Sequence, residues 1–120
     1  MNKVSNILVI EDEVITAMSL VMDLKKHGYK NVKFVQNGAK ALASSRESLP
    51  DLIIADVSLS GGESGIDVAV NISRKSAIPV IFTTGYEIED LSSNLNDKEN
   101  YYFIQKPVLI SRLISLIESL

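Results

Sequence analysis

The chain has 120 residues, 46% of them hydrophobic and 22% charged, with a formal net charge of −3, a balance that fits one globular domain able to bury its own core. It contains no cysteine, which excludes disulfide frameworks, thiolate nucleophiles and cysteine-ligated zinc or iron–sulfur centres. The 12 basic residues are scattered, no apolar run approaches the ~20 residues of a membrane span, and "MNKVSNILVIEDE" does not read as a signal peptide; a cytoplasmic protein that contacts neither nucleic acid nor membrane is expected.

The first apolar run, "NILVI", stops at Glu11-Asp12 and reads as a strand. In "VITAMSLVMDLKKHG", Val14, Met18, Val21 and Leu24, flanked by Ile15, Ala17 and Leu20, recur with helical period. Lys25, Lys26 and His27 suit the negative end of that helix, and Gly28 stops it. "NVKFVQ" is a second strand, and "NGAKALASSRESL" a second helix entered through the Asn37-Gly38 turn and broken by Pro50-Asp51. "LIIA" is the third strand, and Asp56 follows it. "SLSGGESG", with three glycines and three serines, is a loop. "IDVAVNISRKS" is a third helix, and Pro79 opens a fourth strand, "VIFT". "GYEIEDLSSNLNDKEN" is a weak helix, because its serines, asparagines and aspartates favour turns and caps. "YYFIQ" is the fifth strand, and "VLISRLISLIESL" the last helix, with Leu109, Leu113, Leu116, Ile117 and Leu120 along one stripe.

Five strands alternating with five helices predict parallel strands joined by crossovers. Continuous apolar runs such as "LIIA" are those of strands covered on both faces. The expected fold is a single α/β domain over residues 1–120: a flavodoxin-like, doubly wound sheet of strand order 2-1-3-4-5. Ligands of such sheets bind at the carboxyl ends of the strands, near the point where the order reverses.

Those carboxyl ends carry the reactive residues: Glu11 and Asp12 after strand one, Asp56 after strand three, Thr84 after strand four and Lys106 after strand five. Strand two, ending at Gln36-Asn37, lies at the sheet's edge and is the exception. Three clustered carboxylates repel one another and stay ionised only with a compensating cation. Lys106 supplies one charge. A divalent hard ion such as Mg²⁺, or Mn²⁺, held by Asp12 and Asp56 with carbonyl and water ligands, completes the balance. Thr84 is placed to bond a phosphoryl oxygen. These parts suit phosphoryl transfer, which needs positioning and charge neutralisation, with Asp56 as the nucleophile.

"ILVIEDE", "LIIADVSLSGGESGID", "PVIFTTGYE" and "YYFIQKP" together resemble the landmarks of the response-regulator receiver domain, in order and spacing over the whole chain. The resemblance implies that Asp56 accepts a phosphoryl group from a sensor histidine kinase. It implies that Glu11 and Asp12 form the acidic pocket for the metal, with the Ser58 backbone carbonyl a further ligand. Thr84 then matches the switch hydroxyl, Lys106 the active-site lysine and Phe103 the switch aromatic, and a cis peptide precedes Pro107. Gly85 follows Thr84 where many receivers have alanine. "FTTGY" is similar to the Phe-Ala-Thr-Gly signature of FATGUY receivers, which are often single-domain regulators paired with HWE-type kinases. Here Thr83 replaces the alanine, and Glu87 stands where the motif ends in tyrosine. The last helix reaches Leu120, so no output domain is expected, and an unidentified downstream protein would read the switch through the helix after strand four, strand five and the last helix. Residues 87–100 are expected to be the two-state element.

Plainer readings accompany each motif. Glu11, Asp12 and Glu13 also suit a helix N-terminus, and Phe103 also suits simple packing. His27 reads as a capping or solvent-facing residue rather than a phosphorylated histidine. "SLSGGESG" lacks the Gly-Lys-Ser/Thr ending of a P-loop. An aspartyl phosphohydrolase on a similar sheet is the alternative, but it needs a second acid two residues after the nucleophile, where this chain has Ser58. A flavin module would need a phosphate loop where Glu11-Asp12-Glu13 stands.

Overall fold

The computed structural model describes residues 4–85 and 100–120. Along the chain run β1 (Asn6–Ile10), α1 (Val14–Lys26), β2 (Asn31–Val35), α2 (Gly38–Glu47), β3 (Leu52–Asp56), a short 3₁₀ turn (Ser60–Gly62), α3 (Gly65–Ser73), β4 (Val80–Thr84), β5 (Tyr101–Gln105) and α4 (Ile110–Glu118). The strands form one parallel sheet of order β2-β1-β3-β4-β5. Four α-helices stand among the described residues. The fourth of the five expected helices (85–100) and the two-state segment expected with it (87–100) fall, but for their end residues, on 86–99, outside the described residues.

Alternation along the strands explains the two layers. Leu8, Ile10, Ile53, Ala55, Val80 and Phe82 point to one face and pack on Ala41 of α2 and Ala69 and Ile72 of α3. Ile7, Val9, Leu52, Ile54, Ile81 and Ile104 point to the other and pack on Leu24 of α1 and Leu113 and Ile117 of α4. Because β1, β3 and β4 are covered on both sides, their central residues are apolar on both faces. β3 obeys this through Ala55 and then ends on Asp56.

The helix boundaries follow local chemistry. The Asn37 side chain accepts from the Lys40 N–H at 2.9 Å and caps α2; Ser64 does the same for α3, from the Asp67 N–H at 3.2 Å. Gly28, at φ +96°, ends α1. His27 Nδ1–H donates to the Asp23 carbonyl at 2.9 Å, a capping contact.

One apolar stripe differs in phase from its sequence pattern, and a second loses only its first member. In α1 the inward residues are Ala17 and Leu24, with Leu20 and Val21 half-buried, while Val14, Ile15, Met18 and Met22 stand exposed. Ala17 and Leu24 are the buried residues of the helix, and the larger Val14 and Met18 lie off that line. In the last helix, Leu113 and Ile117 are buried, but Leu109 precedes the helix and is exposed.

Candidate functional site

The β3 strand delivers Asp56 to the carboxyl edge of the sheet at 8% exposure. Its Oδ1 accepts the Ser58 N–H at 3.0 Å, and its Oδ2 accepts from Lys106 Nζ at 2.7 Å. Lys106 arrives from the end of β5, where its backbone N–H donates to the Thr84 carbonyl at 2.7 Å, and the peptide that follows it, to Pro107, is cis. Nζ also lies 3.7 Å from Glu11 Oε1. Glu11 is 5% exposed at the end of β1, and its Oε2 accepts the Glu13 N–H at 3.1 Å. Asp12, half-buried, accepts from the Ser60 hydroxyl. Glu11, Asp12 and Asp56 each offer one carboxylate oxygen within 4.8 Å of the others.

This crowding has electrostatic consequences. Burial, with the neighbouring Asp56 charge added, pushes the Glu11 carboxyl up to about 7, although the Glu13 N–H and Lys106 oppose the rise. The Ser60 hydrogen bond holds Asp12 below its ordinary value against partial burial. Partial burial works against the Lys106 charge, but the Asp56 hydrogen bond and the charges of Asp56, Glu11 and Glu13 outweigh it and raise its pKa. Among the described residues one lysine faces three acids, which leaves surplus negative charge there. Hard oxygen donors in that arrangement fit a small divalent cation.

The antiparallel bridge between Ser58 and Ser64 uses the Leu59 N–H, to the Glu63 carbonyl at 3.0 Å, and the Val57 carbonyl, from the Gly65 N–H at 2.9 Å. The Ser58 carbonyl is outside that pairing. Thr84 ends β4 completely buried, one residue beyond the Asp56–Thr83 register pair. Phe103, half-buried on β5, stacks on Phe82 with ring centroids 5.2 Å apart. It shares the α2–α3 side of the sheet, whereas Tyr102 packs on the other side. Gly85 is exposed, and a Cβ there would meet nothing within 4 Å.

Several residues that shape the site carry no obvious mark in the sequence. Thr83, rather than Thr84, lines the groove of about 670 Å³ that also holds Glu11, Lys106, Ile15 and Pro107. Strand two is not wholly remote, since Gln36 Nε2 donates to the Asp12 carbonyl at 3.4 Å. Gly65 is required by close approach: a Cβ there would lie 1.7 Å from the Asp56 carbonyl oxygen. A glycine at the exit of a loop and the start of a helix is the signal that points to it.

A family model described as "response regulator receiver domain" matches residues 7–118. The chain is 33% identical over 112 residues to the transcriptional regulatory protein PdtaR of Mycobacterium tuberculosis, covering 93% of this chain and 54% of that protein. It is thus about half the length of that relative. It is 30% identical to the polar-differentiation response regulator DivK of Brucella anthropi, covering 95% of this chain and 94% of that one. Among solved structures, the receiver domain of the Erythrobacter litoralis response regulator PhyR superposes with a TM-score of 0.82 at 28% identity, over 97% of this chain and 88% of that one.

Proposed function

The chain belongs to the response-regulator receiver family, and from that premise we propose that Asp56 is the phosphoacceptor of a switch charged by a sensor histidine kinase. The observation that carries the reading is the meeting of Glu11, Asp12, Asp56 and Lys106 at one sheet edge, with Lys106 Nζ 2.7 Å from Asp56.

In the transfer step an Asp56 carboxylate oxygen attacks phosphorus. The bond from phosphorus to the donor's imidazole nitrogen breaks, and that nitrogen keeps the bonding pair and later takes a proton. Lys106 pairs with the Asp56 carboxylate and balances part of its charge. The Ser58 N–H fixes Oδ1, so the carboxylate is oriented before the donor arrives. Asp12 and Asp56, with the Ser58 carbonyl and Glu11 behind them, are the groups that would hold Mg²⁺ or Mn²⁺. When bound, that ion supplies charge neutralisation for the transferring group.

A phosphoryl group adds about −1.5 to −2 charges. Lys106 then exchanges a carboxylate partner for phosphoryl oxygens, and the Thr84 hydroxyl is drawn toward them. The ring of Phe103, on the same side of the sheet as α2 and α3, follows the space that Thr84 vacates. A cytoplasmic setting and an HWE-type kinase are the readings that "FTTGY" and the charge pattern favour. Support for a protein donor comes from the groove itself: Ile15, 84% exposed, lines it together with Glu11, Lys106, Pro107 and Val108.

Incubation with acetyl phosphate and Mg²⁺ followed by intact mass measurement tests the reading. One added phosphoryl group on the wild type and none on Asp56→Asn is the expected result. Absence of an adduct on the wild type with either metal, together with no response to beryllofluoride, overturns it.

A further inference from the structure

The three acids of the site are held in different ways. Glu11 takes a backbone N–H from Glu13, two residues away, and Asp56 takes one from Ser58 as well as Lys106. Asp12 instead takes a side-chain hydroxyl from Ser60, 48 residues along the chain and four residues beyond Asp56.

Ser60 is presented by a tightly closed loop. Leu59 is buried at its base, and the Ser58–Ser64 bridge closes its neck. Gly61 and Gly62, at φ +76° and +80°, make a turn that other residues adopt only with strain. On the far side, Glu63 Oε1 accepts the Gly38 N–H at 3.0 Å, tying the loop to the start of α2. The loop is therefore anchored on its core side and on its α2 side, and Ser60 projects from it onto Asp12.

We propose that Ser60 is a positioning residue for the divalent cation, fixing the Asp12 carboxylate with one oxygen engaged so that the other is presented to the ion. This rests on the reading of Glu11, Asp12 and Asp56 as the metal site. An ionised carboxylate has about four acceptor directions, and one hydroxyl occupies one of them, so ligation remains open. Asp12 is only half-buried, so without Ser60 its side chain samples more rotamers, and that freedom is lost when the ion binds. Hydrogen bonds to ligating carboxylates generally strengthen metal binding for this reason. If Ser60 merely competed with the ion for Asp12, its removal would have the opposite effect.

The test is a Mn²⁺ titration of the purified wild type, Ser60→Ala and Ser60→Thr, followed by the electron paramagnetic resonance signal of the free ion. Ser60→Ala is expected to bind about tenfold more weakly, and Ser60→Thr, which keeps the hydroxyl, to stay within about twofold of the wild type. Equal or tighter binding by Ser60→Ala overturns the role, as does a Ser60→Thr variant as weak as Ser60→Ala. Wild-type protein that binds no Mn²⁺ overturns the metal reading itself and the role of Ser60 with it. In chelator, all three proteins are expected to unfold cooperatively, Ser60→Ala at a slightly lower temperature for the lost hydrogen bond to Asp12. An alanine variant that has lost its fold makes Ser60 a structural residue and overturns the positioning role.

Discussion

Glu11 and Asp12 are neighbours in sequence with opposite electrostatic behaviour. Glu11 directly follows β1, is buried and loses its water; Asp12, half-buried, accepts the Ser60 hydroxyl, which stabilises its charge. The raised Glu11 value means that the folded state binds its proton more tightly than the unfolded chain does. Its stabilising contribution is complete below the ordinary value of 4.5 and is lost as pH rises toward about 7. Asp51 behaves in the opposite way. Its Oδ2 accepts from the Ser5 N–H, the Ser5 hydroxyl and the Asn6 N–H, and the folded value is lowered from 3.8. That stabilisation is present above the ordinary value and disappears as pH falls through the depressed one. Metal-free protein is therefore expected to gain stability as pH is lowered from about 7 to 4.5, and to lose it at more acidic pH. Urea unfolding in chelator across that range checks this, and Glu11→Gln is expected to flatten the upper part of the profile.

At the scale of elements, α1 shows how a correct period leaves the phase open. Its apolar residues are numerous enough to form two stripes, one against the sheet and one outside. Leu24 lies in the sheet-facing stripe, fully buried, and Leu24→Ala is expected to cost about 2–5 kcal/mol. Met18 belongs to the exposed stripe, and Met18→Ala is expected to stay within about 0.5 kcal/mol of the wild type. Denaturant midpoints at constant slope distinguish the two. Similar effects from both substitutions would contradict the observed phase. The loop after β3 teaches a related lesson. Its glycines mark a loop in the sequence, but the separate tasks of Gly65, where the backbone of Asp56 passes, and of Gly61 and Gly62, where the turn needs positive φ, appear only with the backbone in place.

For the whole molecule, the site couples to folding because its acids come from β1 and β3 and its lysine from the end of β5. No local fragment contains all of them. An ion that binds only the assembled edge stabilises the folded state by mass action, by about 2.7 kcal/mol when its free concentration is 100 times its Kd. Mg²⁺ is thus expected to raise the unfolding midpoint of the wild type and to leave Asp12→Ala nearly unchanged. A rise of the same size in both would place the ion elsewhere.

Strand number, strand order and the residues at the carboxyl ends were legible in the chain itself. Strand number and the carboxyl-end residues follow from short-range regularities (apolar runs long enough for a buried strand, crossovers of helical period, and polar residues that interrupt a run where the core ends), and the order follows from the fold these imply. Glu11, Asp12, Asp56 and Lys106 could be brought to one edge by that reasoning, because a parallel sheet aligns all its carboxyl ends. Other features depended on side-chain direction and on contacts between distant segments, which no local pattern encodes. Tertiary packing decided that the stripe of Ala17 and Leu24 is the covered face of α1. The register of β3 with β4 put Thr83 beside Asp56, and the closed loop after β3 brought Ser60 onto Asp12. The sequence alone therefore determined which chemical groups meet at the sheet edge, and only the tertiary structure decided what orients each of them.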